Sequence, residues 1–140
     1  MRSLIISLLL VPVISFTAEG QFINKKNELN GIWVPVRQEL GGTELPAAGF
    51  AKHKLIIEDT VYTYVAESTE IGVLKFSGNK LDIYGKEGVN TGRHFATIYK
   101  YENELLTICY NLQGDSYPES FETTGKGSFF ISAFKREVSK

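Results

Sequence analysis

Short runs of β-branched and aromatic residues, separated by turn-forming residues, recur about every 8 to 14 positions along most of this chain. After the first twenty residues, no stretch keeps the apolar spacing of a helix for more than about two turns. The pattern therefore predicts an all-β domain. We predict eight strands, over residues 31–38, 53–58, 61–66, 70–76, 80–84, 93–101, 104–111 and 127–136.

Most connections between these strands are tight. Residues 59–60, 77–79 and 102–103 are of types that tolerate turn geometry. Short links make consecutive strands pair in antiparallel fashion, and closing such a meander removes two exposed edges that would otherwise pair with other chains. We therefore expect an antiparallel up-and-down β-barrel of about eight strands.

The first twenty residues have the layout of a secretory signal peptide. Arg2 provides a positive charge, residues 4–16 form an apolar core, and Ala18 and Gly20 are small residues suited to cleavage. A membrane anchor is the weaker alternative, because the apolar run is only about 13 residues long and a bilayer needs about 20. We predict a signal peptide over residues 1–20, a linker over 21–28, one barrel domain over 29–137, and a secreted or periplasmic location.

Charge and cysteine content narrow the classes of partner. The net charge is −1 and the chain has no basic stripe of the kind that follows a phosphate backbone, so nucleic acid is not an expected partner. Cys109 is the only cysteine, so no internal disulfide can form. We expect Cys109 to be buried as a small apolar side chain. The alternative is a reactive thiol, or one that joins two chains.

Two predicted connections are longer than the others. Residues 40–52 contain Pro46 and a short Ala-Ala stretch that suits one helical turn across a barrel mouth, which makes this segment a candidate lid. Residues 112–126 contain Pro118 and two glycines, and residues 119–123 are able to add a few residues of edge pairing. For both segments the alternative is a passive surface connection.

The two ends of the predicted barrel resemble those of lipocalins. Gly31-Ile32-Trp33 matches the Gly-x-Trp arrangement at the start of the first lipocalin strand, and Lys135-Arg136 ends the last strand. In a closed meander these strands are neighbours, so the Arg136 guanidinium would cover the Trp33 ring and plug one end, a contact worth about 0.5–2 kcal/mol. We therefore assign Trp33 and Arg136 a structural role.

From residue 29 onward the chain also resembles a narrower family, a lipocalin-like domain of unknown function that is abundant in planctomycete and other environmental bacteria. That family usually has arginine before the proline where this chain has Tyr117. The resemblance implies the barrel fold and supplies no catalytic or binding residues. Its carriers are residues 29–33, 41–42, 45–46, 87–88 and 92, 98–99, 105–110, Pro118 with Phe121, and 135–136.

No arrangement of residues typical of catalysis or cofactor binding is found in the sequence. His53 and His94 are not spaced to place two metal ligands on one face, and no nucleophile elbow, phosphate loop or dinucleotide fingerprint is present. The carboxylates near predicted turns are explained by solvation. We predict no catalytic residues, no metal and no cofactor.

Aromatic residues on alternating strand positions are the feature most suggestive of function. Tyr62 and Tyr64 share one face of the third predicted strand, and Phe95, Tyr99 and Tyr101 share one face of the sixth. If these faces point inward, they give an apolar cavity hydroxyl groups suited to a small amphipathic ligand. The alternatives are that the rings lie outside, or that they fill an interior only just wide enough for side chains.

The opposite parity of the sixth strand is equally plausible as an interior. It would turn His94, Ala96, Ile98 and Lys100 inward. Five other residues are clearer core predictions, namely Trp33, Leu55, Ile57, Leu81 and Ile83.

The leading hypothesis is a non-catalytic binding module for a small apolar or amphipathic molecule, with Tyr62, Tyr64, Tyr99 and Tyr110 in the wall. The second is an envelope or protein-interaction domain with a filled interior, whose protein partner the sequence does not identify. The third, a hydrolytic or isomerising enzyme dependent on His94, has the least support, because nothing pairs a nucleophile with a base.

Overall fold

Strands dominate the computed structural model, which describes residues 28–114 and 116–138. The predicted signal peptide and all but the last residue of the predicted linker lie outside these ranges. In the described part, no helix has the length and apolar character needed to cross a membrane. A 3₁₀ helix spans Ala47–Gly49, and the strands are β1 (Gly31–Leu40), β2 (Thr43–Glu44), β3 (Lys54–Glu58), β4 (Val61–Val65), β5 (Thr69–Ser77), β6 (Lys80–Glu87), β7 (His94–Glu102), β8 (Leu105–Asn111) and β9 (Phe129–Arg136).

The strands close into an antiparallel up-and-down barrel. β1 pairs with β3, each later strand pairs with its predecessor, and β9 returns to pair with β1. β2 is a two-residue flap hydrogen-bonded only to β1, so eight strands make the wall. The predicted all-β, lipocalin-like barrel architecture is thus confirmed.

A bulge in β1 shapes the seam where the barrel closes. The register between β1 and β9 runs from Trp33 opposite Arg136 to Leu40 opposite Phe130, with one shift between Pro35 and Arg37. Proline has no N–H for the sheet, and a bulge adds one residue on one side of the pairing. Trp33 and Gln38 therefore both face the interior, although five positions separate them and a regular strand would place them on opposite faces.

All eight predicted strands are present, with ends that differ by up to three residues. The flap β2 was not predicted. Residues 119–123, which the sequence made able to add edge pairing, form no strand and instead place Phe121 against the outside of the barrel. Apolar side chains that pack outward can produce the same local pattern as a strand edge.

The barrel interior holds the main core, and the sixth predicted strand has the parity that turns its aromatic residues inward. Phe95 lies in the interior cluster, with Tyr99 and Tyr101 packed against that cluster. Ala96 and Ile98 face outward, yet they are buried as well. All five of the clearer core predictions belong to the interior cluster, namely Trp33, Leu55, Ile57, Leu81 and Ile83.

The outward-facing residues are buried because the connection between β8 and β9, described over residues 112–114 and 116–128, places Tyr117 and Phe121 over them. We call this connection the cover loop. Ile98, Cys109 and Ile131 form a second apolar cluster beneath it, against which Tyr117 and Phe121 pack. Cys109 is a free, buried thiol, as predicted, and burial raises its pKa to about 11.

Trp33 closes one end of the barrel. Its ring is fully buried, its indole Nε1 donates to the Leu29 carbonyl at 2.8 Å, and Tyr101 packs edge-on against it with ring centroids 5.6 Å apart. The Arg136 guanidinium lies 4.3 Å from the ring centroid and donates to the carbonyls of Asn30 and Glu28. One arginine therefore satisfies backbone groups of the entering chain and covers the indole face.

A polar cluster on the outer surface fastens the cover loop. The Tyr117 hydroxyl donates to Asp82 at 2.7 Å, His94 Nε2 lies 2.6 Å from the same carboxylate oxygen, and the His94 ring stacks on Tyr84. Burial alone would raise the pKa of Asp82, but the hydrogen bonds from Tyr117 and His94 outweigh it and hold this pKa below its ordinary value of 3.8. His94 thus belongs to a structural contact outside the barrel.

Replacing Tyr117 with phenylalanine is expected to lower the free energy of unfolding at pH 7, because the Asp82 carboxylate loses the hydrogen bond from the Tyr117 hydroxyl. The pKa of Asp82 is lower in the folded protein than in the unfolded chain, so its stabilising contribution is present at neutral pH and is lost as the pH falls through the folded value. Urea unfolding at pH 7 and pH 3 should show a smaller acid dependence in Tyr117→Phe than in the wild type. Tyr99→Phe serves as the control, and equal acid dependence in all three proteins would contradict this coupling.

Candidate functional site

A cavity of about 400 Å³ occupies the barrel between the Trp33 plug and the loops at the opposite end. These loops are the segment after β1, the β4–β5 and β6–β7 connections, and the cover loop. The cavity falls within the range of about 300–1,000 Å³ that is usual for ligand pockets. Its apolar wall consists of Leu29, Leu45, Leu55, Ile57, Leu74, Phe76, Leu81, Ile83, Phe95, Leu106, Ile108, Leu112, Phe130 and Phe134.

The polar groups of the wall gather toward the loop end. Tyr64 on β4 pairs with Glu70 on β5 at the end of the two strands, and both side chains line the cavity. The Tyr64 hydroxyl lies 3.0 Å from Nδ1 of His53, and Asn90 from the β6–β7 connection donates to Glu70 at 2.6 Å. The Gln38 amide, which also lies beside Tyr64, donates to the Ser132 hydroxyl at 3.3 Å. The cavity is therefore apolar toward Trp33 and polar toward the loops.

Three tyrosines bring hydroxyl groups into this polar end. Burial is the main cause that raises the pKa of Tyr62, Tyr64 and Tyr110, and the nearby Glu70 carboxylate raises each of them further. The three phenols are therefore neutral donors and acceptors at any physiological pH. Within the described ranges, the hydroxyls of Tyr62 and Tyr110 make no hydrogen bond to protein, so both remain able to bond a guest.

Two paired glycines make room for this arrangement. Gly72 of β5 lies opposite Gly85 of β6, and the Tyr62 ring lies directly over Gly72. A Cβ on Gly72 would collide with the Tyr62 ring and with the Tyr84 carbonyl, and a Cβ on Gly85 would collide with the Asn90 carbonyl. Glycine inside a strand often marks such a close approach. Gly72, which lies within the predicted strand 70–76, was therefore the sequence feature that could have indicated this packing.

The structure places three of the four predicted wall tyrosines at the cavity, namely Tyr62, Tyr64 and Tyr110. Tyr99 does not line it. Its ring lies behind Phe76, with centroids 5.4 Å apart, beside a separate depression at the plugged end that includes Asn79. Tyr99 has the inward parity expected of it but lies too close to the plug, so it is left out of the candidate site.

Sequence reasoning missed five polar wall residues: Gln38, His53, Glu70, Asn90 and Ser132. Glu70 and His53 stand at strand ends, where solvated charge is the ordinary expectation, and Gln38 faces inward only because of the β1 bulge. The predicted lid segment contributes Leu45 to the wall, while its 3₁₀ helix is exposed. The loop end of the barrel is thus built from residues whose orientation depends on tertiary contacts.

In the described ranges, no group of three or more His, Cys, Asp or Glu side chains is arranged to hold a metal ion. Comparison with protein-family models, with curated proteins and with solved structures finds no match for this chain.

Proposed function

We propose that this protein is a non-catalytic binding module that holds a small amphipathic molecule inside its barrel. The observation that carries this proposal is the polarised cavity of about 400 Å³, with apolar walls toward Trp33 and hydroxyl, amide and carboxylate groups toward the loops. Apolar walls with a few placed polar groups are typical of small-molecule sites. We also propose membership of the lipocalin-like family described above, supported by the closed barrel and by the contact between Trp33 and Arg136.

Export of the chain as a secreted or periplasmic protein is part of the proposal and rests on the signal-like pattern of residues 1–20. A barrel that carries a guest through an aqueous compartment fits that location. A guest that dissolves poorly in water gains most from such a carrier, because transferring its apolar surface into the barrel is favourable.

The alternative of an envelope or protein-interaction domain with a filled interior has less support, because large side chains leave a cavity where that alternative requires solid packing. An enzymatic role also has less support. The imidazole at the cavity, His53, is bonded to the Tyr64 phenol, and that of His94 is bonded to Asp82 outside the barrel.

Binding of the neutral apolar probe N-phenyl-1-naphthylamine, followed by its fluorescence, tests the proposal. Leu74→Trp should weaken probe binding by about tenfold or more, because the larger ring occupies the cavity. Val73→Trp, one position away on β5 and facing outward, is the matched control and should leave binding nearly unchanged. Circular dichroism checks that both variants fold.

Native mass spectrometry of the purified protein provides an independent measurement, since a retained natural guest would appear as added mass that is lost on denaturation. Equal probe binding by Leu74→Trp and Val73→Trp would place the probe on the surface. The proposed function would be refuted if, in addition, no amphiphile displaced the probe.

A further inference from the structure

The charge of the cavity wall has one sign. In the part of the chain that the structure describes, Glu70 is the only Asp, Glu, Lys or Arg side chain that lines the cavity, and His53 is the only imidazole. A carboxylate head group would enter a space whose fixed charge repels it, and no lysine or arginine of the wall compensates. An ammonium group would meet an opposite charge at the same place.

The position of Glu70 directs this charge into the cavity. It lies at the end of β5, directly opposite Tyr64 on β4, and its Oε2 accepts from the Asn90 amide at 2.6 Å. One hydrogen bond leaves most of the acceptor capacity of a carboxylate unused. The bond to Asn90 also fixes the side chain in place, so little further ordering is needed when a guest donates to it.

The tyrosine rings around Glu70 suit a cation as well. Tyr62, Tyr64 and Tyr110 line the same end of the cavity. Aromatic faces attract cations, and the attraction grows where water is excluded. The phenolic oxygens are also acceptors for N–H donors.

A basic group at this end, Arg93, is held by residues of the cavity wall. Arg93 donates to the Asn90 side chain at 3.1 Å and to the Leu112 carbonyl at 3.3 Å, and its guanidinium lies over the Phe95 ring at 4.7 Å. It does not line the cavity. Its hydrogen bonds hold the β6–β7 connection, and through Asn90 that connection supports Glu70.

We infer that the barrel selects amphiphiles with a protonated amine head group, which Glu70 binds at the loop end while the alkyl or aromatic body fills the apolar end. This inference rests on the proposed function and specifies the chemical class of the guest. An alcohol of the same chain length retains the apolar contacts and the hydrogen bonds to tyrosine, and it lacks the charge. A carboxylate of that length retains only the apolar contacts and adds repulsion.

Decylamine, 1-decanol and decanoate form the test set, measured at pH 8 by displacement of N-phenyl-1-naphthylamine and by calorimetry. We expect decylamine to bind about tenfold or more tightly than decanol, and decanoate to be the weakest by a similar factor. In Glu70→Gln the amine affinity should fall about tenfold or more, to near that of the alcohol, while decanol binding changes little. The glutamine still accepts from Asn90, so the local structure is retained.

Glu58→Gln is the matched control. Glu58 is an exposed carboxylate on β3 beside the plugged end, so its removal changes the net charge equally and should leave the ranking of the three ligands unchanged. Equal affinities, a preference for decanoate, or the same loss of amine binding in both variants would overturn the amine inference and leave the cavity proposal standing. Failure of all three compounds to displace the probe would refute the cavity proposal itself.

Discussion

Replacing Trp33 with alanine is expected to lower the free energy of unfolding by about 3–5 kcal/mol, the range found for removal of a large, fully buried aromatic side chain. The indole is completely buried, donates to the Leu29 carbonyl and is covered by Arg136. Its loss opens a void at the plugged end, leaves that carbonyl without its partner and removes the cation–π contact. The surrounding residues can collapse only partly into the void, because the pairing of β1 with β9 at the seam of the barrel holds both strands in register.

Urea unfolding followed by circular dichroism measures this effect without depending on the fluorescence of the residue removed. Ile32→Ala is the matched control, since Ile32 is the neighbouring residue on β1, faces outward and is 38% exposed. It should cost less than about 1 kcal/mol. If Trp33→Ala costs no more than Ile32→Ala, the plug does not support the barrel in the way described.

The second large effect is expected from Gly72→Ala, which adds a single methyl group inside the sheet. That methyl would collide with the Tyr84 carbonyl of the paired strand and with the Tyr62 ring. Overpacking of this kind costs about 1–3 kcal/mol, and relief requires either a shift of β5 against β6 or rotation of the tyrosine into the cavity. We therefore expect lower stability together with weaker binding of N-phenyl-1-naphthylamine.

Gly49→Ala is the control for this substitution, because a Cβ at Gly49 meets no atom within 4 Å. It should leave stability and probe binding near wild type. A second variant, Gly72→Ala combined with Tyr62→Leu, tests the mechanism, since a smaller side chain over the new methyl should recover part of the probe binding. Unchanged binding in Gly72→Ala would show that the position of the Tyr62 ring does not set the cavity volume.

Local patterns in the sequence were enough to predict the strands and their closure. Alternating apolar residues and short polar turns predict each strand of the wall, and Gly31-x-Trp33 with Arg136 marks the two that meet. The strands themselves depend on residues close together in the chain, for which the two-residue periodicity of a strand is a reliable guide. The meeting of the first and last strands follows from closure of the meander.

The cavity was harder to predict because it depends on pairings between distant residues. Gly72 on β5 lies opposite Gly85 on β6, and this pairing gives the Tyr62 ring a place against the wall. The tyrosines therefore line a space and do not fill the barrel. The direction of Gln38 depends on the bulge in β1. Neither the strand register nor the bulge can be read from a run of neighbouring residues.

The cover loop shows the same difficulty on the outer surface. Ile98 and Cys109 alternate with inward-facing residues and would be assigned to solvent by parity, yet Tyr117 and Phe121 of the cover loop pack over them. The fastening contact between Tyr117 and Asp82 joins residues 35 positions apart. Sequence reasoning placed Cys109 in the interior of the protein for the right chemical reason and could not tell on which side of the wall it lies.

The cover loop also makes the barrel uneven in thickness. Strands β7, β8 and β9 are packed on both faces, whereas β3, β4 and β5 are packed within and leave Val61 and Val73 of their outer surface in water. A guest somewhat larger than the resting volume would be accommodated by outward displacement of the thin side, since the double-layered side has no space into which it can yield. If the barrel binds a guest as proposed, the compliance of β3 to β5 would therefore set the range of guest sizes.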